Sequence, residues 1–553
     1  MPSADDRMLI PGFCLRLPRV SVRCYHSAML RKPALGLSAL LFAFILCGPQ
    51  SPACQGEQSS APAHHLFFRV TLSTSFYERQ SGRLLIFLRK GSGEKELRPS
   101  FIPGETWIAA CEVDSLAPGA SVDVDADDVA YPKPFSQAPD GDYQVQALLD
   151  VHHAYNYEIT GGDPQSAVVT LSAFHPATAS APVPVTLESQ REGVARFANA
   201  DPQWKPPALA AGVEPMHFES AALTRFWGRP VFITAYVVLP PEYRNGKNTY
   251  PTVYWRHGFG GKAENIASRA AAIRKMMEEH SIPPMIFVML DESFPTGCVE
   301  FADSVNNGPW GRALTKEFIP ILEHKYRMDA KPSGRFLNGH SSGGWATLWL
   351  QVEYPKTFGG TWSTSPDPSD FDNFTGPDLY AAHANVYRKP DGSPYMLVRM
   401  NGKDVASLEA FAEQEAVLGP YGGQMASFDW VFSPKSASGA PMPMFDRATG
   451  EVNPEVVKYW AEHYDIARKV EREWPENARD LKGKIHLIVG TADTFHLDES
   501  ARLLQQALEK VGADAHFTYL PGKTHADLYE ANGDRMALMK QITKEMYAVA
   551  RAH

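Results

Sequence analysis

The sequence predicts two fold classes in one chain: a small all-β sandwich, then an α/β domain on a doubly wound, mainly parallel sheet with a long insertion. Three observations carry this. Between residues 65 and 175, runs such as "LFFRVTL", "GRLLIFLRK", "DYQVQALLDV" and "SAVVTLSAF" are rich in β-branched and aromatic residues. Gly, Pro, Asp or Ser bounds each of them and no helical period accompanies them, as in an antiparallel sandwich. After Ser220 the texture changes to apolar runs without alternation, "PVFITAYVVLP", "YPTVYWRHG", "PMIFVMLD", "RFLNG" and "KIHLIVG", separated by helical patterns. Strands covered by helices on both faces read in this way. Third, residues 367–483 interrupt the alternation with a stretch rich in Pro, Gly and Tyr, expected to be a lid or substrate-shaping excursion at the mouth of the sheet.

A chain of 553 residues holds two or three domains with cores of their own. It is 44% hydrophobic and 21% charged, with a formal net charge of −10, so it carries no electrostatic footprint for nucleic acid or anionic lipid. From Met29, "MLRKPALGLSALLFAFILCGPQSPACQG" joins the cations Arg31 and Lys32 to an apolar run, Ala34 to Cys47, and then to the small residues Ser51 and Ala53. That is a secretory signal pattern, and the run is too short for a membrane span. Residues 1–53 are therefore expected to be an N-terminal extension and signal peptide, with the true start at Met29 and the mature chain exported to the periplasm or beyond. Cleavage at Ala53 leaves Cys54 first, a lipid-anchor position, although Ser51 stands where such signals carry Leu. Residues 54–64 read as a polar linker, 176–220 as a Pro- and Ala-rich interdomain segment, and 221–553 as the α/β domain. Of six cysteines, Cys14, Cys24 and Cys47 fall in the leader, and Cys111 and Cys298 are far apart. This spacing makes neither a disulfide framework nor a cysteine-held zinc site.

The chemistry centres on Gly339-His340-Ser341-Ser342-Gly343. It satisfies G-x-S-x-G and stands between the strand "RFLNG" and the helical "SGGWATLWLQVEYP", the context of a nucleophile elbow. The glycines suit a turn with no room for side chains. Reading Ser342 as the nucleophile would put His340 where the first glycine belongs, so Ser341 is the candidate. A serine hydroxyl needs a base, and the base needs an orienting group. "KIHLIVGTADTFHLDES" places Asp493 just past an apolar strand, and "HFTYLPGKTHADLY" places His525 after the next one. The order Ser, acid, His is that of α/β-hydrolases. Asp498 is the competing acid; His496 is better read as a surface or mouth-lining residue. The expected oxyanion donors are the backbone N–H groups of Ser342 and of Phe259 in "HGFGG" (257–261), with Gly260 next. Arg256, directly before that loop, is expected to pair with a lid carboxylate or to meet an acidic substrate. The sequence has no HExxH, and His64-His65 and His152-His153 fall outside the catalytic region, so neither metal nor cofactor is expected.

The stretches "YPTVYWRHGFGG", "EFIPILEHKYRMDAKPSGRFLNGHSSGGWATLWLQVEYPKTFGG" and "GTADTF…PGKTH" resemble the putative-esterase family of α/β-hydrolases. That family includes esterase D (S-formylglutathione hydrolase), feruloyl and acetylxylan esterases, enterochelin esterase and the mycolyltransferases. The resemblance covers roughly 225–365 and 480–550 and implies the α/β-hydrolase fold, with Ser341 as nucleophile, Asp493 as acid and His525 as base. Enterochelin esterases also place a β-rich domain ahead of the hydrolase domain. The insertion after "STSPDPSDF" departs from the compact members, so no family substrate carries over. The expectation is an exported serine esterase acting through an acyl-enzyme on a small-molecule, carbohydrate or phenolic ester. An acyltransferase using the same acyl-enzyme, or a non-catalytic binding protein on a hydrolase scaffold, is the alternative.

Overall fold

The computed structural model describes residues 64–100, 104–152, 161–192, 197–419 and 423–552. The expected leader, its start at Met29 and Cys54 lie outside the described residues.

Nine strands of the N-terminal portion pair into one largely antiparallel sheet. Phe67–Leu72 lies between Ser121–Asp125 and Val183–Gln190, while Gln80–Lys90 lies between Thr106–Leu116 and Gly141–Asp150. Period-2 alternation drives it: Phe68, Val70 and Leu72 are buried while Phe67 and Arg69 face out. The strands fold over one core that includes Phe68, Leu84, Ile86, Val145 and Leu187. The expected interdomain segment 176–220 is instead divided between the two sheets. Val183–Gln190 runs parallel to Phe67–Leu72 and belongs to the first, and Val213–Glu219 opens the second. Val183, Val185 and Leu187 turn inward, a short alternation that the surrounding Pro and Ala conceal in the sequence.

The second sheet comprises β1 Val213–Glu219, β2 Phe232–Val238, β3 Thr252–Arg256, β4 Ile286–Leu290, β5 Arg335–Ser341, β6 Gly360–Pro366, β7 Ile485–Gly490 and β8 Ala515–Leu520. Its order is β1-β2-β4-β3-β5-β6-β7-β8, with β2 running against the rest. The helices used below are α1 Ala263–Glu278, α2 Ser342–Glu353, α3 Leu408–Leu418, α4 Gln424–Phe432, α5 Pro454–His463, α6 Ile466–Leu481, α7 Leu497–Lys510 and α8 Ala537–Ala552. Every residue of β2, β3 and β4 is buried, because helices cover both faces. Ile266 and Ile273 of α1 join Met539 and Met546 of α8 over Val253 and Phe287 on one face. On the other, Leu350 of α2, Leu314 and Phe318 meet Val237, Val288 and Leu337.

Between β6 and β7 the insertion contributes a hairpin, Met396–Met400 with Lys403–Ser407, and helices α3 to α6. Its Phe371, Phe374, Phe428, Phe432 and Trp460 share one core with Trp345 and Trp349 of α2. It is a packed wall. Helix α3 also docks on the first sheet: Val417 and Leu418 pack with Leu85, Phe87 and Ile108. Arg83 donates from Nε at 2.9 Å and from Nη2 at 2.8 Å to the Val417 carbonyl, and its Nη1 pairs with Glu112 at 2.6 Å. A cation at these terminal carbonyls satisfies acceptors that lack intrahelical partners and complements the helix dipole.

Arg83→Ala should weaken this docking by about 1.5–3 kcal/mol, the range for hydrogen bonds from a charged donor. The readouts are a lower thermal unfolding midpoint and faster proteolysis around the C-terminus of α3. Arg83→Lys should recover only part, since an ammonium cannot reproduce the planar fork. An unchanged midpoint and cleavage rate in Arg83→Ala would mean that the apolar contact alone holds the helix.

Candidate active site

Strand β5 delivers Ser341 to the start of α2 with φ 60° and ψ −126°, a conformation that costs a non-glycine residue energy and persists only when its surroundings impose it. The imposing contacts are backbone to backbone. A Cβ on Gly339 would fall on the Gly343 carbonyl, and one on Gly343 would fall on the carbonyl of His257. Both glycines of the pentapeptide are therefore required by close approach. The "HGFGG" loop lies over the serine, since a Cβ on Gly258 would stand 2.9 Å from Ser341 Cβ. Buried His257 fixes this loop: its Nδ1 lies 2.6 Å from the Gly258 carbonyl, and its Nε2 accepts the Glu292 N–H at 2.9 Å. Phe259 belongs to that loop and Ser342 is the first residue of α2, so both expected oxyanion donors flank the Ser341 segment.

Asp493 follows β7 and His525 follows β8, and the structure joins them. Asp493 Oδ2 is 2.9 Å from His525 Nδ1, and Oδ1 accepts the Phe495 N–H at 2.9 Å. Burial alone would raise this carboxyl, but the bond and charge of His525 and the Phe495 N–H outweigh it and hold Asp493 below the usual carboxylate range. The insertion reaches this loop too, as Arg399 donates from Nη2 to the Asp493 carbonyl at 2.8 Å. The competing carboxylate has other partners: Asp498 lies 3.6 Å from Arg399 and 3.8 Å from Arg502. His496 lies 3.6 Å from Asp404 and 3.8 Å from Glu499.

Two neighbours escaped the sequence reading. The His340 ring lies 4.4 Å from that of His525; burial, then the adjacent His525, pushes it down to about 3, so it packs as a neutral ring. Asp367, directly beyond β6 and only 4% exposed, is the larger omission. Ser341 Oγ donates to its Oδ1 at 3.4 Å, Ser342 Oγ donates to its Oδ2 at 2.6 Å, and Gln424 Nε2 of α4 approaches Oδ2 at 3.4 Å. In this structure the Ser341 hydroxyl thus bonds Asp367 rather than His525. The available signal was position, since Asp367 directly follows a strand next to β5, yet it stands where the insertion begins and was read as part of that. Ser341, Asp367, Phe374, Gln424, Phe428 and Phe495 line a small cavity of ≈ 30 Å³.

Arg256 corrects its expectation. It is fully buried and does not line the cavity, and the carboxylates that act on it, Glu292 and Glu300, precede the insertion. Its guanidinium lies over the Phe301 ring at 4.7 Å, and burial draws it down to about 10 against the pull of Glu292. Burial pushes Glu292 up to about 7 despite Arg256, and it holds Glu300 well above the usual range, helped by the charge of Asp367. Glu292, Cys298 and Glu300 bring potential metal-ligating atoms within 4.8 Å of one another, but Arg256 already supplies positive charge to that cluster.

Glu292 gives a pH prediction with a definite sign. Its folded value, about 7, lies above its ordinary 4.5, so the folded protein keeps a proton that the unfolded chain releases. The stability this contributes is full below the unfolded value and is lost as pH rises through the folded one. Thermal midpoints should fall as pH rises from 4.5 to 7, and Glu292→Gln should flatten that fall. An identical slope in the variant would mean that Glu292 ionises freely in the fold.

The strand order, the elbow and the Asp493–His525 pair together define an α/β-hydrolase. The family described as "Putative esterase" matches residues 231–546, more than half of the sequence, and the chain belongs to that family. The first sheet precedes the matched region. Among curated relatives, the chain is 24% identical over 138 residues to the uncharacterized protein YbbA of Bacillus subtilis, covering 23% of this chain and 54% of the relative. It is 30% identical over 131 residues to Esterase Rv1288 of Mycobacterium tuberculosis, covering 23% of this chain and 28% of the relative. The chain thus spans about half the length of the first and less than a third of the second. Among solved structures, a ferulic acid esterase aligns at 14% identity and a TM-score of 0.36, over 62% of this chain and 98% of its own. An S-formylglutathione hydrolase from Agrobacterium tumefaciens aligns at 14% identity and 0.34, over 62% and 97%. At such scores the fold rests on this chain's own strand order.

Proposed function

We propose that the chain is an exported serine esterase that cleaves a carboxylic ester through an acyl-enzyme. The observation that supports it best is a strained serine at the end of β5 combined with a carboxylate-bound imidazole on the loops after β7 and β8. In this reading Ser341 Oγ turns from Asp367 to His525 Nε2 and attacks the ester carbonyl as His525 takes its proton. Asp493, held ionised, fixes the imidazole tautomer and stabilises the imidazolium. The N–H groups of Ser342 and Phe259 receive the oxyanion. His525 returns its proton to the departing alcohol, then activates a water that releases the acid and restores Ser341. The partners are small-molecule, carbohydrate or phenolic esters, and no step calls for a metal or cofactor. Export rests on the signal pattern from Met29; among the described residues, no helix is long and apolar enough to cross a membrane. The narrow cavity walled by Phe374, Phe428 and Phe495 favours one second reading, transfer of the acyl group to an alcohol instead of water.

A fluorescent fluorophosphonate should label the wild-type chain and fail to label Ser341→Ala. On an activated ester, Ser341→Ala should lower kcat by about 10⁶ and Asp493→Asn by about 10⁴, with Asp498→Asn far milder. A greater loss in Asp498→Asn would transfer the acid role to that residue. Folded wild type that resists the probe would make the hydrolase scaffold a binding module. Product analysis with an added alcohol separates hydrolysis from transfer.

A further inference from the structure

The serine-esterase reading, on which this inference rests, leaves Asp367 with an unmet need. Its partners are divided: Ser342 and Gln424 both address Oδ2, and Ser341 alone addresses Oδ1. All three side chains can donate to it, and their bonds offset part of the rise that burial imposes on its carboxyl. Catalysis removes one of them. Once the Ser341 hydroxyl turns to His525 and becomes an ester oxygen, it has no proton left to donate. Oδ1 then faces the cavity without a donor, on a carboxyl that is 4% exposed. A buried acceptor without a partner is costly, and more so when charged. Water is a poor remedy, because a substrate that fills this cavity displaces it. Of the other polar side chains lining the cavity, Thr375 donates to the Phe374 carbonyl and Gln424 addresses Oδ2, and the aromatic wall of Phe374, Phe428 and Phe495 supplies no donor.

We infer that Asp367 is a specificity-determining residue whose Oδ1 accepts a hydrogen bond from a free hydroxyl of the substrate close to the scissile carbonyl. The preferred substrate class is therefore a hydroxylated ester, in which the substrate hydroxyl takes over the bond that Ser341 gives up. The hydroxyl belongs either to the acyl group, as in an α-hydroxy acid, or to the alcohol, as in a monoacylated vicinal diol. The chemistry at Oδ1 is the same in both.

The experiment measures kcat/KM on esters that differ only in the donor. The acyl arm compares 4-nitrophenyl hydroxyacetate with 4-nitrophenyl methoxyacetate; the alcohol arm compares 2-hydroxyethyl acetate with 2-methoxyethyl acetate by pH-stat. Wild type should prefer the hydroxyl ester over its methyl ether by about tenfold or more in one arm, since a site built to bond a hydroxyl rejects the analogue lacking it. The arm that responds shows which part of the substrate lies against Asp367. In Asp367→Asn, Ser342 and Gln424 claim the amide oxygen and turn its NH₂ toward the cavity. The preference should then shrink to within about twofold, a change in ratio that mere loosening of the elbow does not produce. Equal rates for hydroxyl ester and methyl ether in both arms of wild type overturn the inference without recourse to any variant. So does a full preference retained by a folded Asp367→Asn. The underlying reading has its own control: 4-nitrophenyl acetate hydrolysis that is absent in wild type, or that survives Ser341→Ala, defeats the serine mechanism and not the role of Asp367.

Discussion

The backbone at Ser341 is the constraint on which the rest of this centre depends. A residue with a Cβ holds φ 60° and ψ −126° only because the strand before it and the helix after it leave no alternative. Gly339 lies against the Gly343 carbonyl and Gly343 against that of His257, so β5, α2 and the loop after β3 meet at contact distance. The same pairing sets the neighbours. Ser341 stands opposite Pro366 across a register shift, and its carbonyl accepts the Asp367 N–H at 3.2 Å. Asp367 is therefore brought beside the serine by sheet register, just as Asp493 and His525 are brought to each other by the ends of β7 and β8.

The N-terminal sheet acts on this centre through the insertion. Arg83 and Phe87 hold the C-terminal turn of α3. In α3, Glu415 accepts the Met425 N–H at 2.9 Å, which ties α3 to the first turn of α4. That turn carries Gln424, which reaches Asp367, and Asp367 bonds both elbow serines. Each link is a packed or hydrogen-bonded contact, so the wall of the cavity is braced from behind by the first sheet. A sandwich on a free tether would leave that wall to its own aromatic core. Here the sheet is part of what gives the cavity its shape, whatever else its outer face does.

What the sequence made legible follows from which interactions are local. Unbroken apolar runs identify strands buried on both faces, and G-x-S-x-G between a strand and a helix identifies the elbow, because these patterns reflect contacts within a few residues. Asp493 and His525 were also within reach, as each directly follows its own strand. Val183–Gln190 was not: its alternation spans a few residues amid Pro and Ala, and its partner Phe67–Leu72 lies far back in the chain. Arg256 was read by its chain neighbours, the oxyanion loop, whereas its spatial neighbours are Glu292, Glu300 and Phe301. Asp367 fails for the same reason, since its significance lies in the register of β5 against β6.

These residues also pose an electrostatic problem that the fold must meet. Asp367, Asp493, Glu292 and Glu300 all lie buried around the elbow, and under the proposed serine mechanism carboxylates there would oppose the negative oxyanion. The same carboxylates would favour an imidazolium at His525, whose ring Asp493 contacts directly. Two features answer the oxyanion side. The N-terminus of α2 begins at Ser342 and presents the positive end of its dipole there. Behind it, Arg256 supplies a full positive charge, excluded from water, where attraction falls off least with distance. Protons held by Glu292 and Glu300 reduce the negative charge further, in keeping with the raised values of both. His525 and the Phe495 N–H hold Asp493 low, while the cluster under the elbow keeps the remaining carboxyls from dominating the field at Ser341.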